Sequence, residues 1–183
     1  MPLPKAGICG ECQRRDPAFD AAFAAFEYRF PLDRMIHRFK YAGDLAVGRW
    51  LASRLADRVA HEARPDLLVA PPLAEARLRA RGFNQAVVIA RRVGRQLGLR
   101  HSHAGLTKVR DTLPQPGLGR VERLANLRGA FRCGLRLAGE HVAIVDDVMT
   151  TGATTHALAR LLKASGASRV SVWAIARTPD PAR

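Results

Sequence analysis

The chain is poor in cysteine, in aromatic residues and in acidic residues. Three cysteines in 183 residues, two of them close together near the N-terminus and the third far downstream, cannot make a disulfide framework. Stability must come from a buried core, which a chain of this length can build. No apolar run reaches the length of a membrane span; the apolar stretches are short and broken by Arg, Asp or Pro. Met1 to Gly10 holds no stretch long enough for a signal peptide. These absences point to a soluble, cytoplasmic protein without membrane insertion. Aromatic residues make up 6%, too few for an extensive base-stacking platform. Two nucleotide signatures are also missing. There is no G-x-x-x-x-G-K-[ST] with its lysine, and no G-x-G-x-x-G after the first strand.

What is present is globular in composition, with 48% hydrophobic and 25% charged residues. Thirty Lys and Arg stand against sixteen Asp and Glu, a net charge of +14. That balance favours polyanionic partners such as phosphates, nucleotides or nucleic acid. Almost all the basic residues are Arg and the chain is rich in Ala, a bias that GC-rich coding alone also produces. No internal repeat or low-complexity tract is visible.

The hydrophobic pattern divides the chain. Residues 1–20 carry Cys9-Gly10-Glu11-Cys12 and read as a loop or knuckle. A strand ending Phe26-Glu27-Tyr28 is followed by a helix that Pro31 opens and that runs through Met35, Ile36 and Phe39 to Tyr41. Gly43 breaks it, and Leu45 to about Ala63 reads as a second helix. Leu67 to Ala70 is a short apolar strand closed by Pro71-Pro72. Asn84 to Leu97 is an amphipathic helix with Ala86, Ile89, Ala90, Val93 and Leu97 on one stripe. Residues 107–129 are rich in Arg, Pro and Gly and hold at most a short helix near Val121 to Leu127. His141 to Val145 is a buried strand, Thr154 to Ala164 a helix, and Val170 to Ile175 a last strand. Strands alternating with helices predict an α/β fold, a mainly parallel sheet flanked by helices.

The chemistry is concentrated in Val142 to Thr154. Four apolar residues of a central strand lead to Asp146 and Asp147 at its C-terminal end, where open α/β sheets bind ligands. A hydroxyl-rich loop follows, with Thr150, Thr151, Gly152, Ala153 and Thr154, and then a helix begins. Gly152 lets the backbone turn tightly and approach a ligand. The threonine hydroxyls and the free N–H groups of the helix start form a phosphate cradle. Two carboxylates beside such a cradle suit a sugar phosphate, because they accept hydrogen bonds from vicinal hydroxyls while the loop holds the phosphate.

This segment closely resembles the phosphoribosyl-pyrophosphate signature of type I phosphoribosyltransferases: an apolar strand, two acids, then T-T-G-x-T. Further blocks resemble the ComF family in particular. They are Ala70-Pro71-Pro72-Leu73 with Arg77, Arg79 and Arg81-Gly82-Phe83-Asn84-Gln85; Arg110-Asp111-Thr112-Leu113-Pro114-Gln115; Arg120 to Phe131; and Lys40-Tyr41-Ala42-Gly43-Asp44. The resemblance runs from about residue 8 to residue 177. ComF-like proteins are associated with natural competence and DNA uptake.

The resemblance implies a type I phosphoribosyltransferase-like fold, with a small N-terminal hood at 21–63 and a core at 64–183 that carries a mobile flap at about 107–129. It implies that Asp146 and Asp147 bind the ribose hydroxyls, directly or through Mg²⁺, and that residues 150–154 bind the 5-phosphate. Pyrophosphate would sit at the loop containing Pro72 and Leu73. Arg77, Arg79 and Arg81, alternating on an extended loop, would share one face there. The flap would supply Arg110, Gln115 or Arg120. His37 is a conceivable acceptor base. Gly82, Phe83, Ala130 and Phe131 are expected to pack or turn rather than react.

The chain departs from the family at its start. ComF-like proteins usually carry a four-cysteine zinc finger, whereas residues 1–20 hold one C-x-x-C pair, Cys9 and Cys12, a zinc half-site at best. Cys133 is expected to be a buried thiol and zinc is not expected. Either half of the finger is lost, or the true start lies upstream, or a partner supplies ligands. The rival function is a non-catalytic competence module that binds single-stranded DNA or a helicase partner through Arg91, Arg92, Arg95, Arg110, Arg120, Arg123 and Arg128. A third is a regulatory protein that senses phosphoribosyl pyrophosphate without reacting it.

Overall fold

The computed structural model describes residues 17–110, 127 and 129–179. Its centre is a five-stranded, all-parallel sheet in the order β1-β7-β6-β2-β3. The strands are β1 (Ala21–Glu27), β2 (Leu67–Val69), β3 (His101–Ser102), β6 (His141–Met149) and β7 (Arg169–Arg177). β4 (Leu106–Lys108) and β5 (Phe131–Cys133) form a separate antiparallel pair. The helices are α1 (Leu32–Tyr41), α2 (Leu45–Val59), α3 (Glu75–Arg81), α4 (Gln85–Leu97) and α5 (Ala153–Ala164). Among the described residues no helix is long and apolar enough to cross a membrane.

β6 and β7 are buried on both faces, which is why they read as unbroken apolar runs. On one face Ala143, Val145, Trp173 and Ile175 pack against Ile36 and Phe39 of α1, Leu51 and Leu55 of α2, and Ile89 and Val93 of α4. On the other, Val142, Ile144, Val170 and Val172 meet Leu158 and Leu162 of α5, together with Leu106 and Phe131. The expected parallel sheet with helices on both faces is therefore present; of the α4 stripe Ala86, Ile89, Ala90 and Val93 are buried, and Leu97 is half-buried at the helix end.

α2 ends at Val59, four residues before the expected end. The short strands β3, β4 and β5 were not foreseen; two or three residues carry no measurable period. The flap expected at 107–129 begins inside β4. Its flanks are tied together by Thr107 opposite Arg132 and Lys108 opposite Phe131, and Val109 N donates to Ala130 O at 2.9 Å. The Phe30–Pro31 peptide is cis, and Pro71 and Pro72 follow trans peptides.

The arginine block at 77–81 is a correction. It is the helix α3 and not an extended loop. Every residue from Glu75 to Arg81 is a strong helix former, Glu75 and Arg79 pair four residues apart, and Gly82 closes the helix at φ +75° with its N–H donating to Leu78 O. Residues two apart on a helix point to opposite sides, so Arg77 and Arg79 do not share a face.

Candidate sugar-phosphate site

The site is set by topology. From β2 the chain crosses to β3 on one side of the sheet; from β6 it crosses to β7 on the other. The C-terminal ends of β2 and β6 lie side by side at this switch point, where open α/β sheets hold ligands. The register pairs Leu67 with Val142 and Val69 with Ile144. Carried two residues further, it brings Pro71 level with Asp146. The loop holding Pro72 and Leu73 and the loop Thr150–Gly152 thus rise from neighbouring strands.

Asp146 and Asp147 fall within β6, three residues or fewer from its end. Adjacent strand residues face opposite ways, so the pair is split between the two sides of the sheet. Asp147 is buried on the side of α1, where its Oδ2 lies 2.9 Å from Lys40 Nζ. Its Oδ1 accepts from Val148 N at 2.6 Å. Asp146 is half-buried, and its Oδ1 accepts from Asp147 N at 2.8 Å. Burial pushes the Asp146 carboxyl up to about 7, and repulsion from Asp147 adds to the rise; the hydrogen bond from Asp147 N and the charge of Lys40 act against it.

After β6 the backbone turns at Gly152, with φ +68°, into α5. No side chain caps this helix. Thr155 Oγ1 bonds inward to Gly152 O at 3.0 Å. Thr150 is exposed and Thr151 and Thr154 are half-buried; Ala153 is buried at the helix start. Open N–H groups, a positive helix end and neighbouring hydroxyls make an anion cradle within a few residues of two acids.

Asn84 joins this cradle's opposite wall to the core. Its Nδ2 donates to Pro71 O at 2.9 Å, and its Oδ1 caps α4 by accepting from Ala86 N at 3.0 Å. One amide thereby fixes both the loop after β2 and the helix that follows. Phe83 packs on Phe39 at 5.5 Å between ring centroids, and Ala130 and Phe131 are buried, so these positions pack as expected.

The arginines divide. Arg81 lies over the Tyr41 ring at 4.7 Å and donates to its hydroxyl at 3.1 Å. Arg79 pairs with Glu75, and Arg77 is exposed. Arg110 is exposed beyond β4. Gln115, Arg120 and Arg123 lie outside the described residues, as do Arg128, Cys9 and Cys12. Cys133 is a free, half-buried thiol rather than a buried one. His37 is exposed, with its ring against Tyr41 at 4.6 Å. No cluster of three metal-ligating side chains is found among the described residues.

Lys40 and Asn84 are the positions that residue-by-residue reasoning passed over. Both stand in blocks quoted above, but nothing local signals that one reaches Asp147 and the other Pro71.

Arg91, Arg92 and Arg95 line a groove of about 440 Å³ together with Arg49, Leu45, Val87, Val88 and Phe83. Its floor is aliphatic with one aromatic ring, which offers stacked bases little.

Comparison with known proteins places the chain in a family. The phosphoribosyl transferase domain family matches residues 79–182. The "DNA utilization protein YhgH" of Escherichia coli strain K12 is 35% identical over 176 residues, covering 93% of this chain and 78% of that protein. "Competence protein F" of Haemophilus influenzae is 32% identical over 178 residues, covering 92% and 78%. Among solved structures, a purine phosphoribosyltransferase from Pyrococcus horikoshii is 20% identical and covers 73% of this chain and 75% of its own, with a TM-score of 0.48.

Proposed function

Because this chain belongs to the ComF family of phosphoribosyltransferase-domain proteins, we propose that it binds phosphoribosyl pyrophosphate with Mg²⁺ and transfers the phosphoribosyl group to an acceptor, in the service of competence and DNA use. One observation carries the reading. Asp146 and Asp147 stand at the switch point directly before the open N-terminus of α5. A sugar phosphate needs that juxtaposition: acceptors for ribose hydroxyls, and N–H donors for the 5-phosphate a few residues away.

In this reading Asp146 and Asp147 hold the ribose, and Thr150, Thr151, Gly152, Ala153 and Thr154 hold the 5-phosphate. The loop bearing Pro72 and Leu73, fixed by Asn84, faces the pyrophosphate, with Arg77 the arginine of α3 left to meet it. The donor set fits Mg²⁺, which takes carboxylate and phosphate oxygens. When bound, Mg²⁺ supplies positive charge against the pyrophosphate oxygens. Displacement at ribose C1 passes through an oxocarbenium-like state, so the protein's work is chiefly positioning and charge stabilisation.

The test is calorimetric titration of phosphoribosyl pyrophosphate, with and without Mg²⁺, into the wild type and the Asp146→Asn/Asp147→Asn double variant. Mg²⁺-dependent binding that the double variant loses is the expected result. No binding in the wild type would remove the sugar-phosphate reading. Pyrophosphate release in the presence of candidate acceptors then separates transfer from sensing.

A further inference from the structure

Lys40 is the penultimate residue of α1, and it crosses from the hood to the acid pair. Its side chain is 19% exposed and that of Asp147 is 7% exposed. An ion pair this enclosed differs from a solvated surface pair, because each charge depends on the other to offset lost hydration. Asp147 Oδ1 is committed to Val148 N, whereas the buried Oδ2 receives no aligned hydrogen bond. The ammonium therefore meets Oδ2 as a point charge 2.9 Å away. A point charge on a carboxylate oxygen is what a divalent cation supplies in a sugar-diphosphate site.

Two other basic residues near the end of α1 are turned to other contacts. Arg38 pairs with Asp44 at 2.8 Å, and the His37 ring lies against Tyr41. Asp146, the next residue back on β6, points to the other side of the sheet and acts on the pair only through space. On the side of α1 the arrangement thus carries one carboxylate and one fixed ammonium.

We propose that Lys40 is a built-in counter-ion that occupies the cation position of Asp147, so that it sets the metal dependence of the site. With Lys40 in place Asp147 attracts a bare divalent cation weakly, and the metal enters with the diphosphate. Without Lys40 the buried Asp147 carboxylate is left open to a divalent cation on its own side of the sheet. This deepens the sugar-diphosphate reading and rests on it for its biological meaning, while Lys40 acts through Asp147 as a positioning residue.

The probe is Mn²⁺ alone, added to the full chain at pH 8 and followed by the electron paramagnetic resonance signal of the free ion. Wild type and Lys40→Arg are expected to bind it weakly and alike. Lys40→Met is expected to bind it at least tenfold more tightly, and Lys40→Met/Asp147→Asn to lose that gain. Equal affinity in Lys40→Met and wild type overturns the proposal, as does a gain that survives in the double variant. Should Lys40→Met fail to fold, as a thermal melt reports, Lys40→Gln replaces it, since its amide can still donate to Oδ2 without carrying charge. A wild type that ignores phosphoribosyl pyrophosphate would end the sugar-diphosphate reading alone; the Mn²⁺ comparison would still decide the role of Lys40.

Discussion

Lys40 Nζ and Asp147 Oδ2 lie 2.9 Å apart and close an ion pair between the end of α1 and the C-terminal edge of the sheet. The two partners are unequal in their access to water. Asp147 is buried on a short stem in the sheet, whereas Lys40 has four methylenes and stands at a helix end.

Removal of either partner should therefore have unequal effects on stability. Lys40→Met leaves a buried carboxylate without its cation, and a loss of about 3–5 kcal/mol is expected. Asp147→Asn leaves an ammonium that can extend toward solvent, and should cost distinctly less. Urea melts of both variants measure the difference. Equal losses would mean that Lys40 is as confined as Asp147.

The raised carboxyl of Asp146 gives a pH dependence with a definite sign. The folded chain keeps a proton to about pH 7 that the unfolded chain releases near 3.8. The contribution to stability is full below 3.8 and is lost as pH climbs toward 7. Asp146→Asn abolishes that loss. Its melting temperature relative to wild type should rise from pH 4 to pH 8; each pKa unit of the shift is worth about 1.4 kcal/mol, or about 3–5 °C in a chain of this size. A difference that stays flat across this range would show that Asp146 titrates as an ordinary exposed carboxylate.

The two bonds of Asn84 can be separated. Asn84→Ala removes both the cap on α4 and the tie to Pro71 O, with an expected cost of about 0.5–2 kcal/mol from the cap alone. Asn84→Asp keeps an acceptor for Ala86 N but replaces the donor to Pro71 O with an acceptor. It should hold its fold better than Asn84→Ala and yet lose affinity for pyrophosphate, because the loop after β2 is no longer anchored. Thermal melts and pyrophosphate titrations of the pair check this. Parallel loss of stability and affinity in both variants would assign Asn84 to capping only.

The strand–loop–helix from Val142 to Ala164 was legible because each of its signals is local. An apolar run long enough to be buried, two acids at its end, a glycine that takes φ +68° and a following helical period all sit within one short stretch. The α4 stripe was legible for the same reason. The arginine block was misread, although its composition favours a helix. Alternation of Arg with other residues suggested an extended face, and α3 buries nothing, so no apolar period contradicted it. The strands β3, β4 and β5 are fixed by the neighbours that they pair with, and their own residues say little.

The sequence by itself determined the parallel α/β architecture, the acid pair near the end of a central strand and the glycine turn into an uncapped helix, since burial period, helix start and turn chemistry act over a few residues. Only the tertiary structure decided which sides of the sheet the two acids face, that Asn84 anchors the loop after β2, and that Lys40 supplies the charge opposite Asp147. Those relationships join positions far apart in the chain. They depend on how α1 and α4 settle on the sheet to bury Ile36, Phe39, Ile89 and Val93, and a packing of that kind has no counterpart in any local pattern.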